Sequence, residues 1–163
     1  MKCPVCKYRG AKIQTLLQKV TDEDLLVDLA LDFAGRVCHL PAYPDASQEL
    51  LDIARTKRGD ILRSEWYEAF EIWGEEYAKG RDAQRIAAAR ALEEALWAAW
   101  RQGEADTGRL HKAVLDVATN ASYATSNQEA EEAWQLSHIR KAACTCALPR
   151  SGISRLRTSL LAG

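Results

Sequence analysis

Residues 82–101 read DAQRIAAARALEEALWAAWR. Alanine is the strongest helix former, and neither glycine nor proline interrupts the run, so the stretch predicts a helix from Asp82 to Arg101. Leu92, Leu96 and Trp100 recur at four-residue intervals along one edge of it. Small side chains let neighbouring helices approach closely, so the alanines favour a bundle.

The segments on either side read at the same period. Thr21-Asp22-Glu23-Asp24 reads as a helix start, with a threonine cap and acids at the positive end of the dipole. Leu26, Leu29, Ala30, Phe33 and Val37 follow as one apolar stripe. Leu40-Pro41-Ala42-Tyr43-Pro44 breaks that helix, because proline disfavours helical backbone in the residue before it. Asp45 and Gln48 fit a capping box opening a helix that reaches Lys57 or Arg58 and stops at Gly59. A further helix spans Ser64 to Lys79, with Trp66, Tyr67, Phe70, Trp73 and Tyr77 as its aromatic face and Gly80 as its stop. Gly103 to Gly108 is a loop. Arg109 to Thr125 turns Leu110, Val114, Val117, Ala118 and Ala121 inward. Ser126 and Glu129 fit a second capping box, opening a helix to Ala143. Ala11–Lys19 reads as a short extra helix. There is no strand pattern and no repeat. The expected fold is all-α, a compact antiparallel bundle of six or seven helices.

The chain has 163 residues, 47% hydrophobic and 28% charged, an ordinary globular balance that suits one domain. No apolar run approaches the ~20 residues that span a bilayer, so no membrane partner is expected. Met1-Lys2-Cys3-Pro4-Val5-Cys6 has no apolar core of a secretory signal, which points to a cytoplasmic location. Net charge is -1, but unevenly spread. Residues 1–20 carry +5 and residues 145–163 carry +3, leaving -9 on residues 21–144. The expected organisation is a basic N-terminal segment, an acidic helical bundle and a basic tail. Such asymmetry speaks to partners rather than to fold.

Cys3-Pro4-Val5-Cys6 has the spacing of a knuckle that grips one face of a tetrahedral zinc ion. A second such pair ~15–20 residues on is absent. Cys144 and Cys146 are the other closely spaced cysteines. An antiparallel bundle can bring its ends together, so Cys3, Cys6, Cys144 and Cys146 form the candidate structural zinc site, a staple joining the termini. Incidental thiols and a redox pair compete with this reading, though no strand precedes Cys3 as redox motifs require. Cys38 reads as core. His39, His111 and His138 are far apart in sequence and lie outside any nucleophile motif. There is no GxSxG, P-loop, GxGxxG or HExxH, and no enzymatic activity is expected.

Five tryptophans are many for this length. Core filling is one reading; a protein-binding face is the other, because tryptophan and tyrosine are favoured interface anchors. Glu68, Glu71 and Glu75 share one side of the 64–79 helix. Trp66 and Tyr67 diverge by about 100° around its axis, so one of them borders that acidic side. The candidate partner-binding surface is therefore Trp66, Tyr67, Glu68, Glu71 and Glu75, with Trp97 from the next helix. Its occupant would be a basic protein.

Leu26–Gly59 resembles a helical family of bacterial and phage immunity proteins. The resemblance is carried by Phe33-Ala34-Gly35-Arg36-Val37, a break at Tyr43-Pro44-Asp45, and Glu49-Leu50-Leu51-Asp52-Ile53-Ala54-Arg55. Ala95–Ala99 and Glu132-Ala133-Trp134-Gln135 are similar in style. The cysteine pairs are not part of that pattern. The resemblance implies a non-enzymatic protein that binds and neutralises a toxin or nuclease; a phage inhibitor of a defence complex would read alike. Two alternatives stand beside it: a zinc-knuckle module binding nucleic acid through the basic ends, and a bundle pocket for a small signalling molecule.

Overall fold

The computed structural model describes Cys3, Val5, Tyr8 and residues 10–57 and 63–144. Over these residues it is all-helical, with seven helices: α1 Ile13–Leu17, α2 Glu23–Gly35, α3 Pro44–Thr56, α4 Arg63–Ala78, α5 Ala83–Arg101, α6 Thr107–Ala124 and α7 Gln128–Ala143. None of them is long and apolar enough to cross a membrane.

The alanine-rich segment is the central helix. α5 packs against α2, α3, α4 and α6. Ala88, Ala89, Ala91, Leu92, Ala95, Leu96, Ala98 and Ala99 are all essentially inaccessible, so α5 is buried around most of its circumference. A helix apolar on nearly every side can only sit inside other helices. α2 covers it with the expected stripe of Leu26, Leu29, Ala30 and Phe33, all fully buried. α6 contributes Leu110, Val114, Val117, Ala118 and Ala121, again as its period predicts.

α7 is held differently. Its buried residues are Glu131, Gln135 and Ile139, one turn apart. Glu131 takes an ion pair from Arg36, the C-cap of α2, at 3.0 Å, and Gln135 Nε2 donates to the Ala118 carbonyl of α6 at 2.9 Å. Outside these, the Trp134 ring stacks on His138, and the Arg36 guanidinium lies 4.1 Å from the Trp134 centroid. Two polar anchors in a three-residue stripe explain why this helix has little apolar periodicity.

Helix starts depart from expectation at several points; α6 begins at Thr107, inside the expected Gly103–Gly108 loop, because Asp106 caps it. Asp22, rather than Thr21, caps α2 by accepting from the Leu25 amide. α3 has no side-chain cap: it opens on Pro44 at the first helical position, which places Asp45 inside the first turn. Gln48 instead hydrogen-bonds Asp52, one turn on. α7 is capped by Asn127 rather than Ser126. Asp82 and Asp106 cap α5 and α6. Gly80 has φ +59, and Arg81 N donates back to Glu76 O, the left-handed stop that glycine permits. Gly59 lies outside the described residues.

Candidate functional site

α4 is the peripheral helix, packed on α5 and touching α3. Its buried stripe is only Ala69, Ile72 and Glu76. Three of its rings stay open to solvent: Tyr67 is 48% exposed, Phe70 36% and Tyr77 67%. They belong to a continuous row. Tyr67 and Phe70 centroids are 6.1 Å apart, Phe70 and Trp73 5.6 Å, Trp73 and Tyr77 6.0 Å. Trp66 joins the row at 5.5 Å from Phe70 and stacks on Trp100 of α5 at 5.3 Å.

At 100° per residue, Glu68, Glu71 and Glu75 lie beyond Tyr67 on the side away from Trp73. Tyr67 is thus the ring that borders the acids, while Trp66 turns toward α5. Glu68 and Glu71 are exposed, with no ion pair among the described residues. Glu75 differs from these two. It pairs with Lys79 one turn on and accepts from Tyr43 Oη at 3.1 Å. The Lys79 hydrogen bond holds its carboxyl below the usual range. Next to it, buried Glu76 accepts from the Ala42 amide at 2.7 Å and pairs with Arg85 at 3.1 Å, tying the α2–α3 loop to α4 and α5.

Trp66 and Trp97 meet in an open groove of about 450 Å³ between α4, α5 and α6. Trp66 and Phe70 of α4 line it together with Trp97 of α5. The floor holds Glu93, with a side chain 5% exposed, and Glu94, 14% exposed. Glu93 Oε1 accepts the Trp66 indole N–H at 2.7 Å. Arg90 serves both acids, at 2.9 Å from Glu93 Oε2 and 2.6 Å from Glu94 Oε1, with its guanidinium 4.6 Å from the Trp73 centroid. Arg109, Lys112 and Asp116 of α6 line the rim, where Lys112 and Asp116 pair at 2.6 Å.

Burial pushes Glu94 up to about 7; neighbouring Glu93 adds to this and Arg90 opposes it. Burial raises Glu93 too, against the pull of Arg90 and the Trp66 hydrogen bond. Sequence reasoning named neither acid, nor Arg90. Their signal was present: an Arg with two adjacent acids three and four residues on, inside an otherwise apolar helix.

Of the cysteines proposed for zinc, Cys6 and Cys146 lie outside the described residues. Cys3 is buried, and Cys144, at the end of α7, packs on the same core cluster. Arg140 Nη2 reaches the Tyr8 carbonyl at 3.4 Å, so the N-terminal segment and the end of α7 do meet. Among the described residues no three His, Cys, Asp or Glu side chains are grouped to hold a metal. Cys38 is buried as core, in the turn after α2. His111 Nε2 lies 2.7 Å from the Val20 carbonyl, and His138 Nε2 2.8 Å from Asp32 Oδ2. Both histidines join separate elements of the bundle.

A second cavity, about 460 Å³, lies between α1, α6 and α7 and is lined by Ile13, Leu115, Tyr123, Glu132 and Gln135 among others. A pocket of this kind is what the small-molecule alternative requires.

No family model, curated protein or solved structure matches this chain.

Proposed function

We propose that this chain is a non-enzymatic inhibitor that binds a basic protein through the outer face of α4, in the manner of an immunity protein neutralising a toxin or nuclease. The observation carrying the reading is the exposed ring row of Tyr67, Phe70 and Tyr77 beside the exposed carboxylates of Glu68 and Glu71, which have no ion pair among the described residues. Single exposed rings are ordinary on a protein surface, but a row of them along one peripheral helix matches the composition of interface anchors. Acids at its border select and steer a cationic partner. The -9 charge of residues 21–144 acts in the same direction and disfavours a broad nucleic-acid footprint.

Charge reversal tests this. Glu68→Lys with Glu71→Lys changes two exposed positions and should leave the helical circular dichroism spectrum and melting temperature nearly unchanged. Wild type and the double variant, immobilised and incubated with extract from the native cell, should differ in one basic protein, retained by the first and lost from the second. An identical set of retained proteins would mean that these acids are only a solvated face.

A further inference from the structure

The groove between α4, α5 and α6 has a mismatch of charge with depth. Its two deepest ionisable groups, Glu93 and Glu94, share a single guanidinium, that of Arg90. The other cations stand at the rim: the side chains of Lys112 and Arg109 are 75% and 72% exposed. Lys112 is engaged by Asp116, and Arg109 lies 3.7 Å from Asp106. The floor therefore lacks one positive charge. Glu93 shows the same deficit at atomic scale. The residue is 4% exposed, and its Oε2, ion-paired to Arg90 at 2.9 Å, accepts no hydrogen bond among the described residues. The rings of Trp66, Phe70 and Trp97 line the same groove.

We propose that this groove receives one arginine side chain of the protein partner, its guanidinium set against Glu94 and between the rings of Trp66, Phe70 and Trp97. This deepens the preceding proposal and rests on its basic partner. A guanidinium suits the place better than an ammonium. It is planar and weakly hydrated, stacks on aromatic faces, and presents a fork of donors that suits the Glu94 carboxylate. Trp66 connects the groove with the exposed row on α4, so one partner segment can cover both.

Occupancy is tied to a proton. With the groove empty, Glu94 meets its missing counter-charge by holding a proton up to about pH 7. The charges facing it are Glu93 and Arg90 on its own helix and Asp116, Lys112 and Arg109 from α6; α4 contributes only Trp66 and Phe70. An arriving guanidinium replaces that proton, so binding strengthens as pH rises through this range.

The test uses the peptide acetyl-Gly-Arg-Gly-amide, followed through the indole N–H signals of Trp66 and Trp97 in two-dimensional NMR. The matching citrulline peptide, equal in shape and uncharged, is the control. Saturable shifts are expected with arginine and none with citrulline. Affinity should fall about tenfold from pH 8 to pH 6, as one proton competes with one cation. Glu94→Gln should weaken binding about tenfold or more at pH 8 and remove the pH dependence, while the variant stays folded by circular dichroism. Equal binding of citrulline, no saturable shift, or a Glu94→Gln variant with unaltered affinity and pH profile would each overturn the proposal. Tighter binding of the lysine peptide would overturn the choice of guanidinium. Agmatine binding tenfold tighter than the peptide would overturn the choice of a protein side chain. If the α4 charge reversal loses its partner while the arginine peptide fails to bind, the groove assignment alone falls; the converse result leaves the groove and removes the α4 face.

Discussion

A carboxylate that is 14% exposed and pushed up to about 7 changes how stability responds to pH. Unfolded, Glu94 releases its proton near 4.5; folded, it keeps it to about 7. The folded state thus binds more protons between these values, and stability declines as pH rises through that window. Allowing for solvent screening at the groove mouth, the decline from this group is about 1–2 kcal/mol. Glu94→Gln should remove it and make the variant more stable than wild type at pH 8. The measurement is urea unfolding of both proteins at pH 5 and pH 8. Subtracting the profiles largely cancels the other groups, including Glu75, whose lowered value acts with the opposite sign. Equal pH dependence in the two proteins would mean that burial does not strain this charge. The same variant thus predicts a gain in stability with a loss of arginine binding, an outcome that unfolding cannot mimic.

At the scale of helices, α5 and α4 carry opposite duties. Ala95 lies wholly inside the bundle, and interior alanine leaves no room for extra methylenes. Ala95→Leu should destabilise by about 1–3 kcal/mol through overpacking. Tyr67→Ser on α4 should stay within about 0.5 kcal/mol of wild type. Denaturant midpoints of the two variants check both, and similar costs would contradict the assignment of α5 as core and α4 as surface. This division was half legible in the sequence. Capping signals marked α3 and α7, and period identified the other long helices and the buried faces of α2 and α6, because apolar stripes must face a core. It was less informative for α7, whose buried stripe includes Glu131 and Gln135, polar groups paired across 95 and 17 residues of sequence. Capping boxes misplaced the starts of α3 and α7, since Pro44 and Asn127 were equally good local starts. The outer row of α4 could be read from its spacing. The groove could not, because its walls come from three helices and Glu93 and Glu94 gain their meaning only from burial against Trp66 and α6.

Across the whole molecule, the acidic charge is concentrated on the bundle, and α4 displays it beside rings that the core does not use. Long-range attraction of this kind acts on the approach of a partner more than on its final grip. The central claim is therefore tested most directly in the rate of association. The basic protein retained by wild type but not by the charge-reversed variant would be purified. Its association rate constant would then be measured for both at rising salt. For wild type the rate should fall steeply with ionic strength, as screening shortens the reach of the acids. For Glu68→Lys with Glu71→Lys it should be several-fold slower at low salt and nearly flat, the two curves converging at high salt. Coincident curves at every salt concentration would contradict the account.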